Sequence, residues 1–233
     1  MAIRTGTSGF SYKEWKGLFY PEDLPDKKML SFYSTRLGTV EINNTFYRMP
    51  KPELVAAWAA EVGPDFRFVL KAPQRITHRE RLVGSEESLS RFFQAAGVLG
   101  DRLGAILFQL PPFEKKDVGK LAAFLALLPA GTRAAFEFRH PSWFEEDTYA
   151  ALRERNAALV GGDAEDAAKS PPLVPTASFG YLRLRADEYT DGGLEDWAKR
   201  ILAQPWKEAF VFLKHELRGP EFAEKLGRAL GAA

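Results

Sequence analysis

RAAFEFRHPSW, residues Arg133 to Trp143, is the stretch that decides the fold. Phe136 and Phe138 alternate with Glu137 and Arg139, the period-two pattern of a strand, and Pro141 stops it. One face is therefore apolar, and the other carries opposite charges. A protein interior accepts such charges only where they pair, bind something or react. This stretch predicts a strand whose charged face points into an enclosed polar space.

The same arrangement recurs along the chain. Strands are expected over Ile3 to Ser8, Thr39 to Asn43, Phe66 to Lys71, Gly104 to Gln109, the stretch above, Ala158 to Gly162, Tyr181 to Arg185 and Phe210 to Lys214. Apolar residues three to four apart predict helices between them. Examples are Leu30, Tyr33 and Leu37, then Leu54, Trp58 and Val62, and finally Phe222, Leu226 and Leu230. The proline-rich segment from Asp163 to Ser178 has room for only a short helix. Eight strand–helix units with short connections predict a single domain over residues 1–233: an α/β fold, a parallel eight-stranded (β/α)8 TIM-type barrel. An open doubly wound sheet is the alternative. The first turn, GTSGF, lacks the GxGxxG spacing which that fold's nucleotide sites use, and no GxxxxGK[ST] occurs.

Composition removes several function classes. The 233 residues contain no cysteine, which excludes disulfides, thiolate metal sites and a cysteine nucleophile. Net charge is +1 with no run of like charges, which argues against a general nucleic-acid or membrane-surface binder. The start, MAIRTGTSGF, does not read as a signal peptide. The longest apolar run, Leu121 to Leu128, is far below the roughly 20 residues of a membrane span. A cytoplasmic protein with no membrane partner is the expectation.

In a barrel, alternate residues of each strand face the helices and the lumen. With the apolar alternates turned outward, Glu41, Asn43, Lys71, Gln109, Glu137, Arg139, Arg183, Arg185 and Lys214 turn inward, most of them at the carboxyl end where barrel active sites lie. Basic residues outnumber acidic ones in this set, which predicts a cationic pocket for a small anionic ligand, carboxylated or phosphorylated and sugar-like in one version. The competing structural reading is an ion-pair lattice that only fills the lumen. All three histidines, His78, His140 and His215, fall just past strands three, five and eight, and His140 or His215 is expected to move protons. The rim aromatics Tyr12 and Trp15 either touch ligand or cap the barrel. Lys71 or Lys214 admits Schiff-base chemistry beside other cations.

No cofactor is expected. Glu137, Asp163 and Glu216 end strands five, six and eight as carboxylate ligands do in barrel epimerases and nucleases, which keeps a divalent metal as a minor reading. Strand seven, however, supplies arginines where such sites draw a histidine. The catalytic candidates are thus Glu41, Glu137, Lys71, His140 and His215 in an enzyme of unnamed reaction. The alternatives are a non-enzymatic binder of single-stranded nucleic acid and a metal-dependent isomerase or phosphoesterase.

The stretches GTSGFSYKEWKGLFYP, VEINNTFYRMP, FRFVLKAPQRITH, ILFQLPP and FEFRHPSW, in this order, resemble the domain of unknown function 72, or YecE-like, family. The resemblance covers nearly the whole chain and implies a TIM-type barrel, but no reaction. It maps the family's motif positions onto Glu41, Asn43, Lys71, His78, Gln109, Glu137, Arg139 and His140. Many members read Tyr-x-Arg-x-His-Gly on strand seven, whereas this chain reads YLRLRA, with Arg185 and Ala186 in the last two places.

Overall fold

Alternation and periodicity translate into eight strands and eight helices in the computed structural model, which describes residues 1–164 and 170–231. In chain order they are β1 (Ala2–Ser8), α1 (Met29–Tyr33), β2 (Thr39–Ile42), α2 (Asn44–Tyr47), α3 (Pro52–Ala60), β3 (Arg67–Lys71), α4 (Glu86–Ala96) and β4 (Leu103–Gln109). There follow α5 (Val118–Leu127), β5 (Ala134–Glu137), α6 (Glu146–Glu154), β6 (Ala158–Gly162), β7 (Phe179–Leu184), α7 (Asp191–Leu202), β8 (Glu208–Leu213) and α8 (Gly219–Ala229). Every strand pairs in parallel with the next, and β8 closes on β1 from Ala2–Glu208 to Thr7–Leu213. The fold is a (β/α)8 barrel. Two helices follow β2. The short helix expected between β6 and β7 falls partly on residues 165–169, outside the described residues, and 170–178 contain none. Among the described residues, no helix is long and apolar enough to cross a membrane.

The outward alternates build the main core. Phe108 of β4 and Phe136 of β5 are fully buried, stack at 5.2 Å and receive Phe124 of α5 edge-on. Burying such a ring stabilises the fold by about 1.5–3 kcal/mol. The helix ends are set by side chains as well. Asp117 accepts a hydrogen bond from Lys120 N at 2.9 Å to start α5, and Thr190 accepts one from Gly193 N at 3.1 Å to start α7. One helix face differs from expectation, because Leu54 is exposed and Val55 is the buried residue of α3. Both are apolar neighbours about 100° apart on the helix, so spacing alone did not choose between them.

Inside the barrel a second, smaller core contains Val69, Leu107, Val160, Phe179, Tyr181, Phe210 and Phe212. Below it, at the amino ends of the strands, Glu208 of β8 pairs with Arg4 of β1 and with Arg133 at the entry to β5. The lumen is thus a filled column with an ionic floor, an aromatic middle and a polar mouth.

Glycine at the end of β6 sets how closely β6 approaches β7. Gly162 has φ +141, a conformation L side chains rarely adopt, and a Cβ there would lie 2.0 Å from the carbonyl oxygen of Arg183. Gly162 is in register with Arg183. Gly162→Ala is therefore expected to destabilise the barrel by at least ~2 kcal/mol through strain and a backbone clash, read as a lower midpoint in chemical denaturation.

Candidate functional site

The strands deliver their polar alternates to the mouth in a single lattice. Arg183 of β7 is 4% exposed and bridges two carboxylates that are more deeply buried still. Its Nη2 donates to Glu41 Oε1 at 2.9 Å, and its Nη1 donates to Glu137 Oε2 at 2.5 Å and to Gln109 Oε1 at 3.2 Å. Glu41 also accepts from Asn43 Nδ2 at 3.0 Å and from the Tyr181 hydroxyl at 2.6 Å. Glu137 accepts further from Arg139 Nε and Arg185 Nη1, each at 3.2 Å. Two acids from β2 and β5 are thus held by an arginine from β7, with two more arginines on the outer side.

Electrostatics follow from this packing. Burial pushes the Glu137 carboxyl up, but the Arg183, Arg185 and Arg139 guanidiniums overcome it and hold it down at about 2. At neutral pH Glu137 is an anion that orients arginines and does not exchange protons. Burial pulls Arg183 down, and Glu41 and Glu137 more than reverse this, raising it above its ordinary value. Burial, then the Glu41 charge, raises the Tyr181 phenol well above its usual range, so Tyr181 keeps its proton and donates it to Glu41.

Lys71, at the end of β3, stands beside the lattice without entering it. It is 9% exposed, and its ammonium lies 4.1 Å from the centroid of the Phe46 ring. Burial, reinforced by Arg183 and partly offset by Glu41 and Glu137, lowers it to about 8. Phe46 is presented by α2, which Thr45 ties to β3 by donating to Lys71 O at 2.6 Å. His78 meets the same ring edge-on at 4.9 Å from a wide turn over Arg75–Arg79, closed by Glu80 N donating to Arg75 O at 2.8 Å. Such i→i+5 turns concentrate at functional sites. Burial, then Lys71 and Arg139, lowers the His78 pKa, and its Nδ1 bonds the Thr77 hydroxyl at 2.8 Å.

Other expected site residues sit elsewhere. Lys214 was expected inside the lumen, but β8 ends at Leu213 and its side chain is exposed. Once the strand stops, alternation no longer directs the side chain. Trp15, read as either ligand contact or cap, is 2% exposed, donates its indole N–H to Glu216 O at 2.7 Å and also lines the mouth cavity. Tyr12 remains on the rim, 40% exposed, with its hydroxyl donating to Ser8 O. His140 Nδ1 accepts from Ser142 N at 3.2 Å, and His215 Nδ1 accepts from Leu217 N at 3.2 Å and Arg218 N at 2.9 Å. Each of these two histidines therefore shapes its own loop. Asp163, weighed above as a metal ligand, accepts from the backbone of Arg185 and Ala186 and from the Tyr189 hydroxyl. Among the described residues, no three His, Asp or Glu side chains come together as a metal site.

Sequence reasoning missed Phe46 and the Asp163–Tyr189 anchor. Both lie on turns beyond strand ends, where period-two alternation carries no signal. A cavity of about 520 Å³ opens beside the lattice, lined among others by Ser8, Tyr12, Arg185, Lys214 and His215. Three buried polar atoms near this mouth lack a hydrogen-bond partner: Ser8 Oγ, Arg183 Nε and Arg185 Nε.

A family model described as protein of unknown function DUF72 matches residues 4–233. The UPF0759 protein YunF of Bacillus subtilis is 29% identical over 86% of this chain and 85% of its own length. The UPF0759 protein YecE of Escherichia coli is 34% identical over 116 residues, 49% of this chain and 43% of that protein, so this match spans less than half of YecE. A crystal structure of a DUF72 family protein from Thermotoga maritima superposes with a TM-score of 0.83 at 26% identity, covering 99% of this chain and all of that one. An Enterococcus faecalis DUF72 family structure gives 0.80 at 22% identity over 100% and 98% of the two chains.

Two outcomes are expected. Glu137→Gln leaves buried guanidiniums without their counter-charge and should cost about 3–5 kcal/mol of unfolding free energy at neutral pH. Because the folded value, about 2, lies below the ordinary 4.5, Glu137's contribution is complete above pH 4.5 and disappears as pH falls toward 2. The gap between variant and wild type in urea melts should close over that range. Lys71→Met should instead raise stability by about 1–3 kcal/mol, because the fold disfavours the ammonium. The folded value, about 8, lies below 10.5, so this cost is full below pH 8 and absent above 10.5. The variant's advantage should therefore shrink as melts are taken from pH 7 to pH 10.

Proposed function

The chain belongs to the DUF72 family of proteins of unknown function, and we propose that it is an enzyme acting on a small anionic metabolite at the carboxyl mouth of its barrel. One observation supports this reading above the others. Among the described residues, Arg139, Arg183 and Arg185 pair with two carboxylates, Glu41 and Glu137, and Lys71 stands beside them, so this lattice holds more cations than anions, although Asp187 and Glu216 also line the adjoining cavity. An excess of cations gathered around two buried carboxylates is relieved when an anion joins it. Arg139 and Arg185 are the gripping residues, because their side chains are 37% and 17% exposed whereas Arg183 is sealed. Arg183 is the strut that orients Glu41 and Glu137. The unpartnered Ser8 Oγ and Arg185 Nε supply further polar contacts beside the cavity. His140 and His215 keep Nε2 for proton movement, since Nδ1 is engaged in each.

A divalent metal fits this donor set less well. Glu137 is surrounded by guanidiniums that would repel a cation, and Asp163 is engaged by its own loop. A second reading, a binder of single-stranded nucleic acid, draws support from the exposed Tyr12, Tyr47 and Phe113 beyond the carboxyl ends of β1, β2 and β4.

A thermal-shift screen of small carboxylates and phosphates tests the first reading. At least one should raise the melting temperature, and Arg139→Ala combined with Arg185→Ala should weaken its affinity at least ~10-fold, the loss of a charge-assisted pair. An unchanged affinity in the double variant would remove the anion site. Salt-sensitive retention of a single-stranded oligonucleotide, with no response to small anions, would favour the second reading.

A further inference from the structure

Lys71 is a buried cation of the mouth whose chemistry the anion site does not explain. An ammonium offers three N–H donors and no acceptor. Here Nζ makes neither an ion pair nor a hydrogen bond among the described residues, because Glu41 and Glu137 are already taken up by Arg183, Arg139, Arg185, Asn43 and Tyr181. Its near neighbour is the face of Phe46, 4.1 Å away. A ring face stabilises the charged form in part and supplies no hydrogen-bond acceptor. The neutral amine, with its lone pair available, is thereby brought within reach at neutral pH. Lys214, in contrast, is solvated at the rim.

From this placement we propose that Lys71 is a nucleophile that forms an imine with a small carbonyl compound carrying a carboxylate or phosphate, whose anionic end is held by Arg139 and Arg185. The proposal rests on the reading of the mouth as an anion site. The Nζ lone pair adds to the carbonyl carbon, and the carbonyl electrons pass to oxygen, which takes up a proton. The nitrogen then loses a proton, the hydroxyl is protonated and leaves as water as the C=N bond forms, and the resulting iminium gives up its remaining N–H proton. Amine and carbonyl thus give imine and water, and no oxidant or reductant is needed. His78 is placed to carry these protons. It shares the Phe46 ring with Lys71, and its Nδ1 is fixed by Thr77. Its lowered pKa keeps the imidazole neutral at pH 7, able both to accept and to donate.

Borohydride trapping tests the assignment. The full chain is incubated with pyruvate or with dihydroxyacetone phosphate in sodium cyanoborohydride, and the adduct is read by intact mass and peptide mapping. One adduct per chain on the Lys71 peptide is expected, reduced at least about tenfold in Lys71→Arg and unchanged in a variant of an exposed α7 lysine outside the site, Lys199→Arg. Preference for pyruvate or for the phosphate ester assigns the anionic group. No adduct with either carbonyl, or labelling spread over surface lysines and unchanged in Lys71→Arg, would overturn the proposal. Lactate and glycerol 3-phosphate, which bear the same anions without the carbonyl, separate the two claims. If they raise the wild-type melting temperature while no adduct forms, the lysine chemistry fails and the anion site stands. If they do not bind and no adduct forms, both fail. Competitive acetylation over a pH series gives a readout independent of substrate. Lys71 should reach half its maximal reactivity near pH 8, and a midpoint at the ordinary 10.5 would count against it.

Discussion

A guanidinium sealed away from water persists only if carboxylates are sealed in with it, and Arg183 has Glu41 on one side and Glu137 on the other. The three groups come from β7, β2 and β5, so their meeting requires the closed ring. The lattice in turn fixes the arrangement of the mouth. Glu137 aims Arg139 and Arg185, Glu41 engages Asn43 and Tyr181, and Gln109 shares Arg183. Remove the arginine, and two acids remain in a space with no solvent to receive them.

Such an arrangement is a poor way to gain stability, since apolar side chains of similar volume would do as well or better. Under the proposed function it makes sense as preorganisation. The oriented donors are in place before any ligand arrives, and the cost of holding them is met by folding and not by binding. Lys71 belongs to the same logic: a side chain kept under tension between a charged state the interior disfavours and an aromatic face that partly tolerates it. Stability surrendered locally at a functional site is a recurrent trade in enzymes.

How much of this could be read beforehand followed from periodicity. Within strands, apolar alternates such as Phe136 and Val40 announce the helix side, which assigns Glu41, Glu137 and Arg183 to the lumen by elimination. The barrel itself followed from the count of strand–helix units. Beyond strand ends the signal fails. Lys214 lies one residue past β8 and turns to solvent, whereas Arg185, one residue past β7, still reaches Glu137. Nothing in the local sequence separates these two cases, because the difference is made by Asp163 gripping the backbone of Arg185 from a neighbouring loop. Phe46 escaped notice for a related reason. It lies on a helical turn after β2, where its aromatic character reads as generic packing until β3 brings Lys71 over it. The histidines follow their strand ends as read, while the bonds that His140 and His215 make through Nδ1 to their own loops carry no signal in the sequence.

The aromatic middle of the lumen has a consequence for how the chain can change over time. Phe179, Tyr181, Phe210 and Phe212 form an insulating plug between the Arg4–Glu208–Arg133 cluster and the mouth. Among the described residues, no hydrogen bond or ion pair runs directly from the basal cluster to the carboxylates of the mouth. Under the proposed function, substitutions at the barrel's base reach the mouth through the packing of these four rings, so closure of the ring and tuning of the opening are set by different side chains.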